Sequence, residues 1–340
     1  MRAAVLNRPG EVEVVERPTP EPGRHEVLVR VRAVGVCGSD THYYDHGRIG
    51  RFVVEAPLVL GHESAGVIEA VGEHVDPARI GQRVSIEPGV PCRRCTECLA
   101  GRYNLCPDMV FYATPPVDGS LAELAVIDEA FAHPVPDGVS DEAAALLEPL
   151  SVGIWACRKG GVGPGSRVLV TGAGPIGIVA AQVARASGAA EVVVADVNPH
   201  RLSAATALGA SRAVNTAETS LEQAYAGRPG PEVLLECSGH PGATADGIRA
   251  LAPAGVAVLV GMGGDELPLP LSVVQERELT VTGTFRYANT WPTAIALVAT
   301  GQVDLDALVT ARFPLAEAER ALTASRDDPR ALKAVILPQQ

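Results

Sequence analysis

Residues 167–196 read RVLVTGAGPIGIVAAQVARASGAAEVVVAD: a β-like run, a glycine-rich turn, an apolar stretch at helical period, and a second β-like run closed by an aspartate. No other feature restricts the fold as much, because GxGxxG in this setting needs a strand, a helix and a parallel strand around it. Each glycine has a separate task. Gly172 allows the tight turn, Gly174 lets the backbone approach a pyrophosphate, and Gly177 lets helix and strand pack closely. Pro175 and Ile176 complete the motif at the positive end of the helix, where phosphates sit. Asp196 is expected to accept hydrogen bonds from the adenosine ribose hydroxyls and to repel a 2′-phosphate, which favours NAD over NADP. Arg201 is the opposing signal, able to host that phosphate or to lie over the adenine.

The alternation continues through RLSAATALGA, RAVN, EVLLECSG (232–239), GVAVLVGM (255–262) and ELTVTG (278–283). About six strands with helices between them make an α/β fold with a doubly wound parallel sheet. Residues 1–150 differ: short runs such as EVLVRVRAV (26–34), GVIEAV (66–71) and RVSI (83–86) are separated by Gly, Pro and Asp, the mark of a mostly β domain. After about residue 285 the alternation stops, and helix-like TAIALVATG and AEAERALTAS are expected to return to the first domain. The expected divisions are 1–150, 151–286 and 287–340.

A chain of 340 residues, 47% hydrophobic, suits two cores. Its net charge of −12 offers no footprint for a nucleic acid or an anionic membrane, so the expected partner is a small molecule. The start, MRAAVLNRPGEVEV, meets charge and proline too early for a signal peptide, and no segment approaches the roughly 20 apolar residues of a membrane span. A cytoplasmic protein is expected. In a reducing compartment its seven cysteines point to metal rather than to disulfides.

Four of them, Cys92, Cys95, Cys98 and Cys106, lie in CRRCTECLAGRYNLC. Four thiolates close a tetrahedral zinc site and leave no position for substrate, so this site is expected to be structural. An iron–sulfur cluster or a thiol switch would use the same cysteines, but nothing else in the sequence suggests electron transfer. A catalytic metal needs an open position. Cys37 in GVCGSDTH, with His62 and Glu63 in VLGHESAG, supplies three ligands of that kind, and Glu148 in LLEPLSVGI completes the shell or acts through bound water. Alone, a cysteine is usually core and a His–Glu pair usually lies on the surface; here they share a chain with a dinucleotide motif and a second zinc set. Cys157 and Cys237 read as core thiols.

These residues resemble the zinc-dependent medium-chain dehydrogenases, and within them the sorbitol (polyol) dehydrogenase group. The resemblance runs over nearly the whole chain and is carried by VCGSDTHYYDHGRIGRFVVEAPLVLGHE (36–63), GRYNLC (101–106), FYATPPVDG (111–119), LLEPLSVGI (146–154) and GTFRYANTWP (283–292). It implies a β-rich GroES-like catalytic domain, a Rossmann domain inserted before its C-terminal return, and a homotetramer. It implies Cys37, His62 and Glu63 on the catalytic zinc with Glu148 beside it, and Tyr43, Phe111, Thr114, Glu148, Arg286 and Tyr287 in a polyol pocket. Val260, Gly261, Met262, Phe285 and Arg286 join the cofactor site. Mammalian members have lost most of the cysteine quartet, which this chain keeps. The implied reaction is reversible oxidation of a secondary alcohol of a polyol to a ketose with hydride transfer to NAD, with Ser39 and His42 relaying the alcohol's proton. The nearest alternative is a threonine or butanediol dehydrogenase of the same group.

Overall fold

The computed structural model describes residues 1–340 apart from Asp265. The chain divides into two compact units. One comprises Met1–Glu148, Trp291–Ala299 and Asp304–Gln340; the other comprises Pro149–Thr290 and Thr300–Val303.

The first unit is built on a seven-stranded sheet. Its central strand, Glu26–Gly35, alternates buried valines with exposed arginines, the period-two pattern of a sheet with one face on a core. It pairs with Glu63–Val71 on one side, and irregularities in register at Leu28/Val29 and Val31/Ala33 bend the pair. This pairing sets Gly35 opposite Glu63. Cys37, just past the end of one strand, and His62, just before the start of the other, therefore meet at one corner. The C-terminal segment adds Val309–Pro314 and Lys333–Leu337 to the same sheet, with Val335 opposite Gly35. That brings Lys333 to the same corner. The helix-like tail segments form Trp291–Ala299 and Ala318–Asp327.

The second unit holds a six-stranded, all-parallel sheet. Its order is Arg212–Asn215, Glu191–Asp196, Arg167–Thr171, Val233–Glu236, Val256–Leu259, Thr280–Gly283. Two runs growing outward from a central first strand make the doubly wound arrangement read from the alternation. The central strands are near-continuous Val, Leu and Ala because helices cover both faces. Element ends differ from the sequence reading in two places. The helix after the glycine turn starts at Pro175 rather than Ile178, since proline at its first position costs no hydrogen bond. The strand expected over 232–239 is confined to Val233–Glu236, because the buried Glu236 carboxylate turns back to accept from the Ser238 and Gly239 amides.

Candidate active site

Cys37 caps the helix Gly38–His46. Its backbone N–H donates to Asp40 Oδ2 at 3.0 Å, while Asp40 Oδ1 accepts from the Gly61 amide at 3.0 Å and lies 3.6 Å from His62 Nδ1. One buried carboxylate thus ties both ligand-bearing segments together. Burial alone would raise Asp40, but the His62 ring and the two amides outweigh it and hold the carboxyl below the usual carboxylate range. Burial likewise works against a charged His62, yet Asp40 and Cys37 hold its pKa well above the ordinary value.

The Cys37 sulfur, a His62 ring nitrogen and a Glu63 oxygen lie within 4.8 Å of one another. Glu63 is fully buried, and its Oε1 accepts from Lys333 Nζ at 2.7 Å. Its Oε2, also buried, has no hydrogen-bond partner among the described residues. A buried, unpartnered carboxylate oxygen is costly unless a cation completes it. Gly35 is required here, because a Cβ at that position would stand 2.1 Å from this same Oε2. One sulfur, one nitrogen and one oxygen ligand fit a zinc ion with an open fourth position.

The four remaining ligand-spaced cysteines sit in one lobe. Their sulfurs lie within 4.8 Å of one another, and the amides of Cys92, Cys95 and Cys98 donate to Cys106, Cys92 and Cys95 sulfurs at 3.3–3.4 Å. Amides of Arg94 and Cys95 bring the Cys92 thiol down to about 7, whereas burial and neighbouring thiols push Cys98 up to about 12. A dication among the four sulfurs would stabilise them as thiolates, which is what zinc provides.

In the other unit, Gly172 takes φ +88° and a Cβ on Gly177 would stand 1.8 Å from the Gly172 carbonyl, so the turn can be built only with glycine at both positions. Asp196 accepts from the Ala173 amide at 2.6 Å and from the Asn198 amide at 2.8 Å. A cavity of about 450 Å³ opens beside them, lined by Gly172, Asp196, Val197, Thr216, Ser238 and His240. It lies at the carboxyl ends of the strands, where doubly wound sheets bind dinucleotides.

An alcohol dehydrogenase GroES-like domain model matches residues 23–137, and a zinc-binding dehydrogenase model matches residues 175–300. Sorbitol dehydrogenase of Macaca fascicularis is 47% identical over 94% of this chain and 90% of that protein. An Escherichia coli alcohol dehydrogenase solved with NADH superposes with a TM-score of 0.93 at 30% identity, covering 99% of both chains. The 2R,3R-butanediol dehydrogenase of Bacillus subtilis gives 0.90 at 26%, again over 99% of both. The chain belongs to the zinc-dependent medium-chain dehydrogenases. It is an NAD-dependent zinc dehydrogenase of the sorbitol dehydrogenase group, and its cofactors are zinc and NAD.

The other residues of this dehydrogenase singled out from sequence have these settings within their own units. Phe111 is buried with its ring 5.9 Å from that of His62, and Tyr43 is buried in the Gly38–His46 helix. Thr114 is half-buried just past Phe111. Ser39 is half-buried; His42 is exposed, edge-on to His46. Glu148 is buried but stands outside the three-ligand group; its charge acts on Lys333. Val260 and Gly261 donate their amides to the Glu236 carbonyl, while Met262 and Phe285 are exposed. Pro175 and Ile176 form the first turn of the dinucleotide helix. Arg201 keeps a buried Nε with no partner among the described residues. Arg286 sits in the left-handed region at φ 53° with its guanidinium 4.9 Å from the Phe285 ring, and Tyr287 is buried. Cys157 and Cys237 are free thiols whose pKa values burial raises, Cys157 to about 12. Sequence reasoning missed Asp40 and Lys333. Asp40 carried a readable signal, an acid three residues past a helix cap; Lys333 carried none.

Proposed function

We propose that the enzyme acts on polyols of the sorbitol or xylitol type, oxidising a secondary alcohol reversibly to the ketose. The carrying observation is the group of half-buried Cys37 with buried His62 and Glu63, one carboxylate oxygen of which is unpartnered among the described residues. When bound, zinc supplies a Lewis acid that favours the deprotonated alcohol, and NAD supplies the hydride acceptor. The chain's residues do the rest. Cys37, His62 and Glu63 hold the metal, with Glu148 beside it, directly or through water. Phe111 walls the space next to His62, and Tyr43, Thr114, Arg286 and Tyr287 bind the hydroxyl chain, so that binding energy orients the reacting carbon. Ser39 and His42 carry the alcohol's proton outward. Gly172, Gly174, Pro175, Ile176 and Gly177 cradle the pyrophosphate, Asp196 and Arg201 take the adenosine end, and Val260, Gly261, Met262, Phe285 and Arg286 complete the cofactor site. Cys92, Cys95, Cys98 and Cys106 hold a second, structural zinc.

Residues 1–150 and 287–340 form the catalytic domain and 151–286 the cofactor domain of this reading. A homotetramer is supported by the edge strand Thr280–Gly283 and by the exposed Leu267, Leu269, Leu271 and Phe285 in the segments before and after it in sequence. A cytoplasmic setting is supported by the free state of all seven cysteines; no helix among the described residues is long and apolar enough to cross a membrane. Steady-state rates with NAD on stereoisomeric polyols, 2,3-butanediol and threonine test the substrate class. Higher kcat/KM on butanediol or threonine than on every polyol would overturn it.

A further inference from the structure

The turn that follows the Thr280–Gly283 strand is held in an unusual shape. Arg286 and Asn289 both adopt positive φ, 53° and 56°, a region that side-chain-bearing residues avoid. Between them Tyr287 and Ala288 are buried, at 3% and 0% exposure, so the chain dips inward and re-emerges within four residues. Such a shape persists only where the surroundings over-determine it.

One visible restraint is Arg158, in the last turn of the helix Leu147–Gly160. Its Nη1 donates to the Asn289 carbonyl at 2.8 Å and, more loosely, to the Ala288 carbonyl at 3.5 Å. The helix is anchored beneath it by Ala156 and Cys157, both buried, so the guanidinium reaches out from a fixed base. A donor on two successive carbonyls sets the direction of both peptide planes. Those planes, between Ala288 and Asn289 and between Asn289 and Thr290, pin the exit of the turn and so hold in place the strained stretch that carries Arg286 and Tyr287. We infer that Arg158 is a positioning residue for polyol recognition, acting through the 286–289 turn rather than by touching substrate. This rests on the reading of Arg286 and Tyr287 as polyol contacts.

The test uses the full-length, zinc-loaded enzyme with NAD and compares the best polyol with 2-propanol, which has no neighbouring hydroxyls to bind. Arg158→Met is expected to raise the polyol KM about five- to tenfold, a fraction of the worth of one charge-assisted hydrogen bond because the clamp acts at one remove from substrate. At saturating NAD it should leave the zinc content and kcat/KM for 2-propanol unchanged. Arg158→Lys, which still donates, should recover part of the loss. The double variant Arg158→Met/Arg286→Ala should lose less than the sum of the two single losses, because the clamp works in part through the residue already removed. Equal losses on both alcohols, or full additivity in the double variant, would overturn the inference and leave Arg158 a structural residue. If Arg286→Ala impairs polyols while Arg158→Met does not, the clamp alone is wrong. If Arg286→Ala leaves the polyol KM unchanged, the pocket assignment fails and takes the clamp with it.

Discussion

The chain's two metal-competent groups are built on opposite plans. Cys92, Cys95, Cys98 and Cys106 come from one continuous lobe, are four of a kind, and are steered by the lobe's own amides. Cys37, His62 and Glu63 are three kinds of ligand from two segments, gathered by a strand pairing and by Asp40 and Lys333. A closed, homogeneous, local set can brace a lobe and do little more. An open, mixed set held from several directions can leave a position for chemistry, and it needs rigid support so that the open position stays open. The difference teaches that the supporting groups, more than the ligand count, separate a working site from a brace.

Removing a ligand from the mixed set should break this contrast most visibly. Cys37→Ser is expected to lower kcat/KM by roughly a thousandfold or more, several kcal/mol of lost charge stabilisation, with a folded protein that retains one zinc per chain instead of two. Metal analysis beside steady-state kinetics checks it, and turnover retained with a single zinc would reverse the roles of the two groups. The same site is expected to lose metal on acidification sooner than an ordinary histidine ligand predicts. His62 in the metal-free protein holds its proton well above 6.5, so zinc must displace that proton over a wider range of pH. As pH falls through the raised value, apparent affinity drops by about tenfold per unit for the one proton. Chelator competition followed across pH reads this directly; affinity flat down to pH 6 would count against it.

Support for the mixed set can be tested without touching a ligand. Lys333 is fully buried, and burial works against its charge, but Glu63 and Cys37 outweigh that and keep its pKa raised. Lys333→Met would leave the Glu63 carboxylate buried without its partner and is expected to cost roughly 3–5 kcal/mol of stability in the metal-free protein. Lys333→Arg, which preserves the charge, should cost much less. Denaturant unfolding with and without chelator separates the two, and equal losses for both would mean packing rather than charge is at stake. For the lobe, Cys98→Ser should do the reverse of Cys37→Ser. The melting temperature is expected to fall on the order of 10 °C, at roughly 2–4 °C per kcal/mol, while kcat of the folded fraction stays within about twofold. Lost turnover in a fully folded variant would show that the quartet does more than brace.

The contrast also explains what could be read from sequence. The quartet was legible because its spacing is its geometry. The glycine turn was legible for the same reason: Gly172, Gly177 and Asp196 meet through one strand, helix and strand. Cys37 and His62–Glu63 were half legible, as residue types without a visible meeting point, because Gly35 opposite Glu63 is a fact of sheet register. Lys333 was not legible at all; it reaches Glu63 across 270 residues, by a strand that joins the sheet from the far end of the chain. Strand ends failed where a side chain overrode local propensity, as Glu236 does in recruiting the amides that follow it.

The smallest effect concerns the seam between the lobe and its sheet. Tyr103, which lies between Cys98 and Cys106, donates its hydroxyl to Glu87 Oε1 at 2.7 Å, and His133 Nε2 meets the other oxygen at 2.9 Å. His133 stacks on Trp291, whose indole N–H donates to Ser85 at 3.0 Å. Glu87 is 3% exposed, so a lost donor there is not replaced by water at little cost. Tyr103→Phe keeps the ring against Phe131 and removes only the hydroxyl. The expected penalty is about 1–3 kcal/mol in denaturant unfolding, with both zincs retained and kcat unchanged. If the lobe instead released its zinc, the brace would depend on its docking as much as the mixed set depends on Lys333, and the two plans would differ less than their ligands suggest.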